Sequence, residues 1–156
     1  MDERKAAYSA FDAAVRYITF KDRTVKEVQD KLREKGYSSH DIENVIEKLG
    51  YYGYLNDENY ALAYIRSNVN KKGMKRINME LLRKGIDHSI IMDASENMDV
   101  DEVCTIQQML ERRYRDIDFG DEKEKRRIYG FFIRRGFSYD NISKAMENNR
   151  KMMNFI

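Results

Sequence analysis

Apolar residues recur along this chain at the spacing of one helix face, and they do so three times. Val25, Val28 and Leu32 lead to Gly36; Met74, Ile77 and Leu81 lead to Gly85; Ile128 and Phe132 lead to Gly136, with Lys125 as the polar exception expected to fray toward solvent. Positions three and four apart lie on one side of an α-helix, so each set predicts a helix with a buried stripe. The glycines fall about 50 residues apart. Each is followed by an apolar residue (Tyr37, Ile86, Phe137), then a small polar one (Ser38, Asp87, Ser138), then isoleucine four positions on (Ile42, Ile91, Ile142). Glycine suits the left-handed residue that ends a helix. Ser and Asp suit an N-cap, which accepts from the free N–H groups of the following helix. The phrase therefore predicts a helix–turn–helix corner used three times.

A further helix precedes each corner. The first is expected from Lys5 to Phe20 with Phe11, Val15 and Ile18 on one face, after which Thr24 and Glu27 form a capping box. Asp57 is positioned to cap a helix holding Tyr60, Leu62, Tyr64 and Ile65, and Asp99 or Asp101 one holding Val103, Ile106, Met109 and Leu110. The expected fold is all-α, with three tandem three-helix repeats at 1–53, 54–98 and 99–156, the last ending in a polar tail. Units so small bury little surface alone, so neighbours should pack into an elongated, curved array.

Composition supports this. Proline is absent and glycine numbers only 8, which disfavours short strands joined by tight turns. No apolar run reaches the length of a membrane span. The opening "MDERKAAYSAFD" lacks the apolar region of a signal peptide. One cysteine, Cys104, cannot make an internal disulfide; its place in an apolar stripe predicts a buried, inert thiol, and a reducing cytoplasm is the expected compartment. Net charge is only +2, from 29 basic and 27 acidic residues, so a polyanionic partner would have to be met by local charge.

The stretch "YLNDENYALAYIRSNVNKKGMKRINMELLRKGI" narrows the reading. Asp57, Tyr60, Ala61, Arg66, Gly73, Ile77, Leu81, Lys84, Gly85 and Ile86 stand where the middle repeat of the RecX family carries its signature. "IRRGFSYDNI" resembles the end of that family's third repeat, so the chain resembles a RecX protein from about Ala10 to Met146. Met74 departs from the proline usual after the signature glycine. The resemblance implies a small cytosolic regulator, expected to be monomeric, that binds the RecA–DNA filament. Such a protein would lie in the filament groove across successive subunits and lower ATP hydrolysis and strand exchange; some members also bind DNA.

Two groups of cations are candidates for partner or DNA contact. Between Glu58 and Glu80 no acid occurs, while Arg66, Lys71, Lys72, Lys75 and Arg76 do, and Gly73 opens a helix whose N-terminus could receive a phosphate or carboxylate. In the third repeat Lys123, Arg127 and Arg134 share a helical face, with Arg112, Arg113 and Arg115 as a possible extension. Both groups read equally as solvated surface, since Asp121, Glu122 and Glu124 can neutralise the second. Tyr51, Tyr52 and Tyr54 could stack on bases, but are expected to pack the junction of repeats one and two. The nine methionines read first as core filling. His40 and His88 read as polar first-turn residues. Zinc spacings, a calcium loop, a phosphate-binding glycine loop and a nucleophile elbow are all missing, so neither enzyme activity nor a cofactor is expected. A stand-alone DNA-binding helical array and a general protein-interaction scaffold are the alternatives.

Overall fold

The computed structural model describes residues 8–154. Among these the chain forms α1 (Ala10–Phe20), α2 (Val25–Glu34), α3 (Ser39–Tyr51), α4 (Asp57–Asn68), α5 (Met74–Arg83), α6 (His88–Glu96), α7 (Glu102–Arg113), α8 (Glu122–Arg134) and α9 (Tyr139–Met153), with no strand. The expected start at Lys5 lies outside the described residues. Helix α1 starts after Ser9, whose Oγ accepts from the Asp12 N–H at 3.1 Å. At the other end, the polar tail continues α9 through Met153.

The three corners share one construction. Gly36, Gly85 and Gly136 have φ of +87°, +82° and +91°, a region costly for any residue with a Cβ. The N–H of Tyr37, Ile86 and Phe137 donates back to the carbonyl of Leu32, Leu81 and Phe132 at 3.2 Å in each case, satisfying a helix-end acceptor. Ser38 and Ser138 accept from Asp41 and Asn141, and Asp87 from Ser89, so the next helix starts capped. Ile42, Ile91 and Ile142 are buried. Lys125, expected to fray, is half-buried within α8.

Close contacts gather the chain into two compact units, one comprising Met1–Ala63 with Leu81–Ala94, the other Tyr64–Glu80 with Ser95–Ile156. In the first, α1, α2 and α3 enclose Ala14, Val28, Leu32, Val45 and Leu49. In the second, α7 lies along α9, and α8 closes a core of Ile106, Leu110, Ile128, Phe132 and Ile142. The middle repeat is thus shared: its α4 and α5 each contribute to both units.

Within each unit the same joint is built one repeat apart. In the first unit Thr24 caps α2 by accepting from Glu27 N–H at 3.2 Å, and its hydroxyl donates to the Lys84 carbonyl at 2.7 Å. The Val25 N–H donates to Asp57 Oδ1 at 3.0 Å. In the second unit the Gly73 N–H donates to the Arg135 carbonyl at 2.8 Å, and the Met74 N–H to Glu102 Oε1 at 2.6 Å. Lys84 and Arg135 each precede a corner glycine, and Asp57 and Glu102 each open the first helix of a later repeat. A helix start in one repeat therefore seats on the corner of the next, capped by an acid from that next repeat.

Two cap assignments change as a result. Asn56, not Asp57, caps α4, accepting from the Asn59 N–H at 3.0 Å, because the Asp57 carboxylate is committed to α2. The Thr24–Glu27 box is only half made, because Glu27 Oε1 accepts from Lys84 Nζ at 3.2 Å. Burial pushes the Asp57 carboxyl above its usual range; the Val25 N–H works against this and the nearby Glu27 charge adds to it.

Candidate partner-binding surface

The middle-repeat cations divide into two kinds. Lys72 and Arg76 are turned onto Glu80: Lys72 Nζ donates to both carboxylate oxygens, at 2.9 and 3.1 Å, and Arg76 Nε donates at 3.0 Å. The Tyr64 hydroxyl adds a bond of 2.6 Å. Burial raises the Glu80 pKa, but the Tyr64, Lys72 and Arg76 bonds outweigh it and hold the group at about 2. Arg76 NH1 also donates to the Arg134 carbonyl at 3.2 Å, so its guanidinium works as a strut between α5 and the end of α8. Arg66, Lys71 and Lys75, by contrast, are exposed and carry no ion pair or side-chain hydrogen bond among the described residues.

At the helix start after Gly73, a candidate to receive a phosphate or carboxylate, the Met74 N–H already donates to a carboxylate of this chain. Glu102 supplies the carboxylate through Oε1, and Asn141 Nδ2 donates to its Oε2 at 2.9 Å. The physical reason is the joint itself, which brings the Glu102 carboxylate of α7 onto the first turn of α5 and so commits the Met74 N–H.

In the third repeat, Lys123, Arg127 and Arg134 are exposed along α8. Arg127 pairs with Glu124 at 3.4 Å, a solvated contact worth little. The Arg134 guanidinium folds back over Gly130, within 3.1 Å of where a Cβ there would stand. Of the possible extension, Arg113 is seated on Phe131: Arg113 and Arg135 lie over that ring at 4.5 and 4.4 Å from its centroid, a paired cation–π arrangement. Arg76 and the end of α8 are brought together; no contact ties Lys123 or Arg127 to the middle-repeat cations.

Other expectations are overturned. Tyr51, Tyr52 and Tyr54 do not pack a junction but stand 86%, 56% and 66% exposed, touching mainly one another. The joint is closed by the hydrogen bonds of Thr24, Asp57 and Lys84, which leaves the tyrosines outside. Cys104 is exposed rather than buried, because the stripe of α7 runs through Ile106 and Leu110 instead. Several methionines, among them Met79, Met92, Met152 and Met153, lie at the surface instead of filling a core.

Comparison with known proteins decides the family. Profiles of the first, second and third three-helix domains of RecX match residues 10–49, 56–94 and 100–146. The chain belongs to the RecX family. The regulatory protein RecX of Clostridium perfringens is 32% identical over 148 residues, spanning 90% of this chain and 70% of that protein. RecX of Bacillus cytotoxicus is 36% identical over 144 residues, 88% of this chain and 53% of the relative's length. The crystal structure of RecX from Lactobacillus salivarius superposes with a TM-score of 0.78 at 33% identity, covering 90% of this chain and 94% of that one. RecX is a family of regulatory proteins, and the matched segments coincide with helices α1–α3, α4–α6 and α7–α9. Among the described residues of this RecX chain no helix is long and apolar enough to cross a membrane.

Proposed function

We propose that this RecX-family protein regulates RecA in the cytoplasm by binding the RecA–DNA filament as a monomer and lowering its ATP turnover and strand exchange. Membership of a regulatory family, with three matched domains, carries the reading. Its contact chemistry is assigned to Arg66, Lys71 and Lys75, which are exposed and uncommitted, with Lys123, Arg127 and Arg134 as a second group. Arg66, Lys71 and Lys75 can meet acidic protein surface or DNA phosphate without breaking an internal ion pair, and Arg127 would exchange only its solvated contact with Glu124. Lys72 and Arg76 belong to the Glu80 cluster and contribute less. Regulation requires no chemistry of its own: a protein that binds one filament state better than another shifts the population toward that state.

The test is a RecA ATPase titration on single-stranded DNA. Wild-type protein should depress turnover at near-stoichiometric ratios, and no effect at any salt concentration would refute the reading. Changing Arg66, Lys71 and Lys75 together to Glu should relieve the depression by roughly tenfold or more in required concentration, with helical content unchanged. If that triple variant acts like wild type, these cations are solvated surface only.

A further inference from the structure

The second unit holds like charges together with no acid to offset them. Arg113, in the last turn of α7, and Arg135, which caps α8, both seat their guanidinium groups on the Phe131 ring, at 4.5 and 4.4 Å from its centroid. The ring itself is fixed, edge-on to Tyr114 at 5.8 Å and to Phe132 at 5.1 Å. Arg127, Phe131 and Arg135 stand four positions apart, so they follow one face of α8. The Gly73 N–H donates to the Arg135 carbonyl at 2.8 Å, which brings the loop of exposed Lys71 to the same corner.

Arg113 is exposed and Arg135 half-buried, so both remain within reach of solvent. Among the described residues neither makes an ion pair or a side-chain hydrogen bond. Glu111 and Asp116, the acids nearest Arg113 in sequence, pair with neither, and Asp118 and Asp121 accept from the Gly120 and Lys123 N–H groups instead. Arginines at a helix end also complement its dipole. That role asks for charge alone and does not require both groups on one ring. Neighbouring like charges repel, and an anion set between them relieves the repulsion.

The chemistry selects among anions. A guanidinium is planar and, held against a ring on one side, leaves its other side for a second flat group while its N–H edge donates to an oxyanion. A nucleotide of a single strand offers both, an unstacked base and a phosphate. A carboxylate offers only the second, and a duplex keeps its bases inside. We infer that Arg113, Phe131 and Arg135 form a stacking platform for single-stranded nucleic acid, with Arg127 and Lys71 continuing the contact along its phosphates. The inference deepens the filament-binding reading by naming residues that meet the strand, and it rests on that reading for its place in the filament.

The probe is a labelled oligothymidylate read by fluorescence anisotropy without RecA, with duplex DNA of the same length and poly-glutamate as competitors. Wild-type protein should bind it with an affinity that falls as salt rises, and neither competitor should displace it at equal charge concentration. Arg113→Gln with Arg135→Gln should weaken binding roughly 30-fold and flatten the log–log salt slope by about 1.4, the loss of two phosphate contacts. Arg113→Lys with Arg135→Lys should keep the slope but still cost roughly tenfold, because an ammonium cannot stack. Arg16→Gln removes an exposed arginine seated over Tyr8 in the first unit and should leave affinity unchanged. Melting temperatures are followed in parallel, and if the Gln variant fails to fold the Lys variant decides. No binding by wild type, or full affinity in either double variant, would overturn the inference. Displacement by poly-glutamate or by duplex would show recognition of charge alone and overturn it as well. A RecA ATPase titration keeps the two readings apart: if wild type binds the strand but leaves ATP turnover unchanged, the filament reading fails while the platform stands.

Discussion

Replacing Gly73 by alanine tests the joint of the second unit more sharply than any other single change. Gly73 is buried, and a Cβ built on it overlaps the carbonyl carbon and oxygen of Gly136 and the backbone nitrogen of Phe137. These are backbone atoms of a hydrogen-bonded corner, so no side chain can swing aside to relieve the overlap. Forcing extra atoms into a packed site costs about 1–3 kcal/mol. Separating the surfaces also weakens the Gly73–Arg135 bond, worth about 0.5–1.5 kcal/mol, and the Met74–Glu102 bond to a charged acceptor, about 1.5–3 kcal/mol. Alanine returns only about 0.4–1 kcal/mol by restricting the unfolded chain. The net loss is about 2–7 kcal/mol, a large share of a domain stability of about 5–15 kcal/mol. For a chain of this size that lowers the melting temperature by about 4 °C at the least and by well over 10 °C at the upper end. Circular dichroism at 222 nm reads the transition, and amide exchange at Met74 should accelerate in parallel. Gly50→Ala is the matched control: it lies in α3 with nothing within 4 Å of its would-be Cβ, and should gain about 0.5–1 kcal/mol. If Gly73→Ala melts within about 2 °C of wild type, the close approach of the α5 start to the Gly136 corner is wrong.

Other substitutions probe the remaining contacts. Glu80 has a folded pKa of about 2 against an ordinary 4.5, so its contribution to stability is present above pH 4.5 and drains away as pH falls toward 2. Glu80→Gln should therefore melt below wild type at pH 7, with the gap closing between pH 4.5 and 2; a constant gap would show that the charge of Glu80 is not what stabilises the cluster. Gly85→Val should unfold the first joint, since φ of +82° is strained for valine and its Cβ would overlap the Lys26 side chain; an unchanged melting temperature would contradict the corner geometry.

The helical content and the corners were legible because their causes are local. A glycine ending one helix, a staple residue and a cap starting the next all act within a few positions, so they leave a readable phrase at Gly36, Gly85 and Gly136. The candidate surface was legible only in part. Arg66, Lys71 and Lys75 read as cations and remain uncommitted cations. Glu80 served as the boundary of an acid-free window, yet it lies one turn from Arg76, and that i,i+4 spacing was the available sign of pairing. The groove lined by Phe11, Val15, Ile18, Tyr54, Tyr60 and Ala63 was not legible, since its walls come from α1, the α3–α4 turn and α4. A sign of it did exist: Phe11, Val15 and Ile18 form an apolar stripe that the internal core only half covers.

By itself, the sequence determined where helices start, stop and turn, since backbone caps and left-handed glycines respond to neighbours within a turn. It also determined the threefold repetition that places this chain in the RecX family. The tertiary structure decided which groups those helices spend on each other. Asp57 reaches back 32 residues to Val25, and Glu102 reaches back 28 to Met74, so an acid expected at its own helix start, and a helix N-terminus that could receive an outside anion, prove to be parts of the same kind of internal joint. Whether a charge is free to meet a partner depends on what stands within about 3 Å of it in space, a distance that spacing along the chain does not set.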